Sequence, residues 1–353
     1  MSYIHGGDIY SHRVDYDFSV NLNPLGMPQS VIEAAQQGVI QSDHYPDVSA
    51  RALRKAIGEK SGVDMSQILV GSGAAELIYG ICYALRPKCG LVAAPGFAEY
   101  EAALHCVDAK IQYWNLKEEE EFQVGRGIVS AIEDGVDILF LCNPGNPVGN
   151  LIDPQLLYEI AETCEETGTI LCVDECFLPF VSKEERYSML TYIRQKRFDN
   201  LIVLRAFTKT YAMAGLRLGF AVSGNSGLLA EVRESLQPWN TSIPAQLAGI
   251  QALQEEKYLI RTRTVLEKER KYLKREMEDG LVEKIYPGAA NYIFFRCNQE
   301  DLQERLLQQG ILIRSCGNYR NLGPGFFRIG IRTHEENEEL IRRWRKTIWQ
   351  RRS

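Results

Sequence analysis

Short apolar runs bounded by turn-forming residues recur along the first two thirds of the chain. They are 67–71 (QILVG), 90–94 (GLVAA), 109–114 (AKIQYW), 137–142 (DILFLC), 169–174 (TILCVD), 201–207 (LIVLRAF) and 218–223 (LGFAVS). Runs apolar at consecutive positions and of this length are strands buried on both faces. Amphipathic stretches lie between most of them. The clearest is 153–168 (DPQLLYEIAETCEETG), which Asp-Pro opens and Gly168 closes, the punctuation of a helix. Strand–helix alternation of this kind predicts an α/β fold: a mostly parallel, seven-stranded sheet covered by helices. After about residue 240 the texture changes. A long charged helix over roughly 254–279 leads to 291–297 (NYIFFRC), a helix, 311–316 (ILIRSC), 326–332 (FFRIGIR) and a final helix. That is a smaller α+β unit. The expected division is a large domain over 41–240 and a small domain made of 1–40 and 241–353.

Composition narrows the class of protein. A chain of 353 residues with 45% hydrophobic and 24% charged positions can bury a large core. The net charge of −6, without a basic tail or stripe, argues against nucleic acid as the main partner, while leaving room for a local cationic pocket. No apolar stretch approaches the ~20 residues of a membrane span. The start, MSYIHGGDIY, has neither a basic nor an apolar leader segment, so a cytoplasmic location is expected. Of nine cysteines only Cys172 and Cys176 are close, and no cysteine–histidine spacing suggests a metal site; reduced, mostly buried thiols are expected.

Against this background a few residues break the pattern where strands end, the place at which doubly wound sheets gather ligands. Lys209 follows an apolar strand, where a charged amine is costly to bury; it could snorkel to the surface, bind an anion or do covalent chemistry. Asp174 directly follows four apolar residues and needs a cationic partner there. GSGAAELIYGICYAL (71–85) is a glycine-rich turn opening a helix, either a plain cap or a phosphate cradle. CNPGNPVGN (142–150) is a stiff loop that holds Asn146, and PGFAEYE (95–101) offers Phe97 just past a strand. Singly, each has a bland structural reading. Together, a phosphate cradle, a flat aromatic, a strand-end carboxylate, a lysine and Arg217 eight residues beyond it meet the needs of pyridoxal phosphate.

With these residues the chain resembles the fold-type I pyridoxal-phosphate enzymes of the aminotransferase superfamily over nearly its full length. Within them it is similar to the threonine-phosphate decarboxylase group, near relatives of histidinol-phosphate aminotransferases. The closer likeness is carried by HGGDI (5–9), DFSVNLNPLGMP (17–28), PGFAEY (95–100), PWNTSIPAQLAG (238–249), YPGAANYIFFRC (286–297) and ILIRSCGNY (311–319). The resemblance implies that Lys209 links to the cofactor, Asp174 partners the pyridine nitrogen, Asn146 donates to the ring oxygen or the substrate, and Phe97 stacks on the ring. It implies that Gly73, Ala74, Ala75, Thr208 and Arg217 hold the cofactor phosphate. Tyr45, in HYPD, resembles the tyrosine that reaches a neighbouring subunit's cofactor, implying a homodimer. His5, Gly6, Asn21, Asn146, Arg314 and Arg328 fall on substrate-binding positions.

The chain also departs from its relatives. Ala206 stands where many have a phosphate-binding serine, and Phe177 where aminotransferases usually carry a tyrosine, a change shared by the decarboxylase group. The leading expectation is therefore decarboxylation of L-threonine O-3-phosphate to (R)-1-aminopropan-2-ol O-2-phosphate, in cobalamin synthesis. The alternatives are transamination of histidinol phosphate, decarboxylation of serine phosphate, and a cofactor-binding regulator without turnover. Such regulators usually add a DNA-binding extension, and here the fold begins close to residue 1.

Overall fold

The structure, a computed structural model, describes residues 5–133 and 135–349. The ends of the expected small domain, 1–4 and 350–353, lie outside the described residues. In chain order the strands are β1 (Tyr16–Asp17), β2 (Ile68–Gly71), β3 (Cys89–Ala94), β4 (Lys110–Asn115), β5 (Ile138–Cys142), β6 (Ile170–Asp174), β7 (Leu201–Ala206) and β8 (Gly219–Ser223). They continue with β9 (Lys284–Ile285), β10 (Tyr292–Arg296), β11 (Ile311–Leu312), β12 (Arg314–Ser315) and β13 (Phe326–Gly330).

Strands β2 to β8 form a seven-stranded sheet in the order β2–β8–β7–β6–β5–β3–β4. All neighbours are parallel except β8, which runs antiparallel to both β2 and β7. The consecutive apolar residues of the central strands are explained by two cores. Leu139, Leu141, Leu171, Val173, Leu201 and Val203 pack on one side, while Ile138, Phe140, Cys172, Ile202 and Leu204 pack on the other. Each such side chain contributes roughly 1.5–3 kcal/mol on burial. Covering helices form where the sequence punctuates them. Before Pro154–Thr167, the Asp153 side chain accepts from the N–H groups of Gln155 (3.0 Å) and Leu156 (3.2 Å), and Gly168 ends the helix at φ 73°.

Register decides what sits together at one end of this sheet. Cys142 pairs with Asp174, Asp174 with Leu204, Ala206 with Gly219 and Gly71 with Gly219. The reversed direction of β8 matters most. Its first residue lies beside the last residues of β2 and β7, so the segments around Gly73, Lys209 and Arg217 converge.

The second sheet is antiparallel, in the order β12–β13–β10–β9, with its own core around Phe295, Phe327, Ile329 and Trp344. The helix Glu256–Glu278 buries Tyr258, Thr262, Leu266, Glu269, Leu273 and Met277, one stripe at helical spacing on an otherwise charged surface. The run 311–316, expected as one strand, divides. Ile311–Leu312 pairs in parallel with β1, whereas Arg314–Ser315 pairs with β13. An unbroken apolar run does not reveal that two different neighbours compete for its halves. Helices Gln29–Ile40 and Ile243–Leu253 lie outside 41–240, yet Val31, Ala245, Ala248 and Ala252 pack into the large sheet's core. Among the described residues no helix is long and apolar enough to cross a membrane.

Candidate active site

The apolar strand β7 runs straight into the short helix Phe207–Thr210, which carries Thr208 and Lys209 past the sheet's edge. Burial holds the Lys209 amine below its ordinary pKa of 10.5; Arg217 and Arg328 add to this, and Cys176 and Asp174 oppose it. Asp174 ends β6 and is only 6% exposed. Its Oδ1 accepts from the Cys176 N–H at 2.9 Å and its Oδ2 from the Tyr100 hydroxyl at 2.7 Å. Sequence reasoning passed over Tyr100. It lies within PGFAEY (95–100), where a tyrosine one helical turn after Phe97 reads as core.

The glycine-rich turn opens the helix Ala74–Leu85. The Gly73 N–H donates to Gly71 O at 2.8 Å, so its amide is already engaged. The amides of Ala74 and Ala75, in the first helical turn, have no acceptor within the helix. Gly73 supplies space instead: at φ 90°, a Cβ there would lie 2.6 Å from Arg217 Nη2. Arg217, itself at φ 56°, donates from Nη1 to Ala214 O at 3.1 Å and rests its guanidinium over this turn. Thr208 is buried, with its hydroxyl 3.5 Å from Leu218 O. Glu76, a second residue missed in the sequence, braces the turn: its Oε2 accepts from the Ser72 N–H and from Asn240 Nδ2, both at 2.6 Å.

Across the site, Asn146 Oδ1 accepts from Arg328 Nη1, and Arg328 Nη2 donates to Ser19 O at 3.1 Å. The Arg328 Nε is buried with no partner among the described residues. Tyr292 holds this region together: its hydroxyl donates to Gly145 O at 2.6 Å, and its ring meets Phe177 edge-on and lies 5.3 Å from the Arg328 guanidinium. Phe177 is buried, and it places no hydroxyl at that wall.

A cleft of about 600 Å³ opens beside Phe97, lined by His5, Arg314 and Arg320 among others. Arg314 is buried, donates to Asn318 Oδ1 at 2.9 Å and covers the Tyr319 ring. His5 Nε2 lies 2.8 Å from Glu99 Oε1. The strap that carries His5 presses on Ser19: the Gly7 N–H donates to Ser19 Oγ at 2.7 Å, and a Cβ on Gly6 would meet Ser19 O at 2.5 Å. Asn21 is buried, and its Oδ1 has no partner among the described residues. Arg320, not anticipated, pairs with Glu101 at 2.9 Å and lies 3.9 Å over the Tyr113 ring. Tyr45 stands apart. It is 78% exposed and lies against the Trp239 ring, with centroids 4.7 Å apart and planes at 32°, and makes no contact among the described residues to Lys209, Asp174 or Arg217.

A buried amine of lowered pKa, a doubly held carboxylate and a turn that a Cβ would fill suit a ligand with three groups. It has an aldehyde, a basic ring nitrogen and a phosphate. Pyridoxal phosphate has all three.

Comparison with known proteins agrees. The sequence profile described as "Aminotransferase class I and II" matches residues 14–343. The threonine-phosphate decarboxylase of Salmonella typhimurium is 37% identical over 334 residues, covering 94% of this chain and 91% of its own length. A histidinol-phosphate aminotransferase of Methanosarcina mazei is 30% identical over 329 residues, covering 91% of this chain and 85% of its own. Among solved structures, the histidinol-phosphate aminotransferase of Clostridium acetobutylicum superposes with a TM-score of 0.88 at 28% identity, covering 95% of this chain and 99% of that one.

Proposed function

The chain belongs to the aminotransferase class I and II family, and from that premise we propose that it decarboxylates L-threonine O-3-phosphate to (R)-1-aminopropan-2-ol O-2-phosphate. The cofactor is pyridoxal 5′-phosphate. When bound, it supplies a protonated pyridine ring that draws electrons from a bond at the substrate's α-carbon. The rest is the work of this chain's residues. Lys209 would hold the cofactor through its aldehyde, and its amine would carry the proton that replaces the carboxylate at the α-carbon. Asp174 keeps the proton on the pyridine nitrogen. Ala74, Ala75, Thr208 and Arg217 receive the cofactor phosphate, and Phe97 covers one face of the ring.

One observation carries the choice of substrate: Arg314 and Arg328 stand directly opposite each other in β12 and β13, and both are buried. Like charges placed opposite on a sheet repel, so two buried guanidiniums at this spacing suit a substrate with two anions. A phosphorylated amino acid is such a substrate. Arg314 with His5 takes the phosphate, and Arg328, steadied by Asn146 and Ser19, faces the carboxylate. Holding the phosphate and the carboxylate at separate guanidiniums would fix the substrate's orientation at the α-carbon. Phe177 leaves an apolar wall where a tyrosine would add a hydroxyl. The similarity to histidinol-phosphate aminotransferases favours a second reading, transamination of histidinol phosphate, which presents one phosphate and no carboxylate but whose amino-group acceptor, 2-oxoglutarate, also carries two anions.

The deciding experiment supplies the purified holoenzyme with L-threonine O-3-phosphate alone, and separately with histidinol phosphate plus 2-oxoglutarate. Carbon dioxide from the first and little glutamate from the second is the expected result. Glutamate without carbon dioxide overturns decarboxylation and leaves the cofactor site standing. We further propose a homodimer that buries the exposed pair Tyr45 and Trp239, with neighbouring exposed Val48. A monomeric mass by light scattering refutes it.

A further inference from the structure

Tyr100 lies in the helix Ala98–His105, three residues after Phe97, and its ring is held on two sides. It stacks on Phe140 of β5, with centroids 5.1 Å apart and planes at 6°, and it meets Phe97 edge-on at 5.6 Å and 83°. A buried phenol needs a partner for its hydroxyl. Here the partner is Asp174 Oδ2 at 2.7 Å, while the Cys176 N–H occupies Oδ1. Each carboxylate oxygen has two lone-pair directions, so both can still accept from a third group.

We propose that Tyr100 is a positioning residue for the cofactor: its rigidly packed hydroxyl fixes the orientation of Asp174 and draws off part of the negative charge that Asp174 presents to the pyridine nitrogen. The inference rests on the reading of Asp174 as that nitrogen's partner. Two donors on one carboxylate, one from the strand's own continuation and one from the helix between β3 and β4, restrain its rotation. The phenol's edge contact with Phe97 joins the carboxylate at the ring's nitrogen to the aromatic that covers the ring's face. One residue therefore braces both sides of the clamp.

The other titratable groups that face Asp174 are Cys142, Cys172, Cys176, Tyr292 and Lys209. Burial pushes the three thiols and the Tyr292 phenol well up, so they stay neutral across the range in which the holoenzyme is titrated. Burial does the same to Tyr100, which keeps its proton and remains the donor.

The test uses the holoenzyme, Tyr100→Phe and Asp174→Asn, and reads the pH midpoint of the absorbance of lysine-bound pyridoxal phosphate, together with melting temperature. Phenylalanine keeps the packing on Phe140 and Phe97 and removes only the donor. A carboxylate without that donor presents more negative charge and holds the chromophore's proton to higher pH. The midpoint of Tyr100→Phe is expected to rise by about 0.5 pH unit or more, a change that loss of packing alone does not produce. An unchanged or lowered midpoint overturns the proposal, whatever the melting temperature does. Asp174→Asn separates the two possible failures. If it alters the spectrum while Tyr100→Phe does not, only the role of Tyr100 falls. If Asp174→Asn leaves the spectrum and midpoint at wild-type values, the reading of Asp174 falls, and the role of Tyr100 with it.

Discussion

Substituting Gly73 by alanine tests the phosphate cradle through a residue with no functional group of its own. The new Cβ would stand 2.6 Å from Arg217 Nη2 and 3.2 Å from its Cζ, where ordinary contact begins near 3.4 Å. The guanidinium's Nη2 must therefore retreat by about 0.8 Å, from 2.6 Å to the 3.4 Å of ordinary contact. A side chain at φ 90° and ψ 161° also costs about 1–3 kcal/mol of backbone strain. These two effects appear in different measurements. The strain is present with or without cofactor, so it lowers the melting temperature of both forms and leaves affinity alone. The retreat of Arg217 weakens a charge-assisted contact to the phosphate. Because Arg217 is exposed, the lower end of the usual range applies, about 1.5 kcal/mol, or roughly a tenfold weaker Kd. The assay is titration of cofactor-free protein with pyridoxal phosphate, followed by absorbance, for wild type, Gly73→Ala, Arg217→Ala and the double variant. If alanine acts through Arg217, adding it to Arg217→Ala costs little further affinity. Equal proportional losses in both backgrounds would refute this reasoning, and an unchanged Kd for Arg217→Ala would remove Arg217 from the phosphate site.

Three further outcomes are expected. Lys209→Ala should purify folded, show no absorbance of lysine-linked cofactor and lose nearly all turnover; normal turnover would remove it from the centre of the mechanism. Arg314→Ala should raise KM for the phosphorylated substrate by about tenfold or more, the loss of one charge-assisted hydrogen bond, with cofactor retention unchanged on dialysis. Because burial holds Lys209 below 10.5, a larger fraction of its amine is neutral at any given pH than in a free lysine. Capture of pyridoxal phosphate by the cofactor-free protein should thus rise with pH and level off below 10.5; a plateau at or above that value contradicts the burial argument.

What can be read from the chain alone is what depends on near neighbours in sequence. The central strands are apolar at consecutive positions up to their last residues because both faces of the sheet are covered, and that is visible without knowing what covers them. Asp153, Pro154 and Gly168 mark their helix through the demands of its own terminal N–H and C=O groups. Lys209 and Asp174 stand out because a charge at the end of an apolar strand is costly unless something nearby compensates for it. Partners distant in sequence are another matter. Nothing local indicates that β8 runs against its neighbours, yet that reversal brings Arg217 beside Gly73 and Lys209. The division of 311–316 between two sheets, and the placing of Arg314 opposite Arg328, follow from pairing with strands elsewhere in the chain. Tyr100 is the sharpest case. On its helix it is one more aromatic facing a core, and its hydrogen bond to Asp174 spans 74 positions. Periodicity records which face of an element is dry. Only the packed tertiary structure decides which polar group a buried hydroxyl, amine or guanidinium meets there.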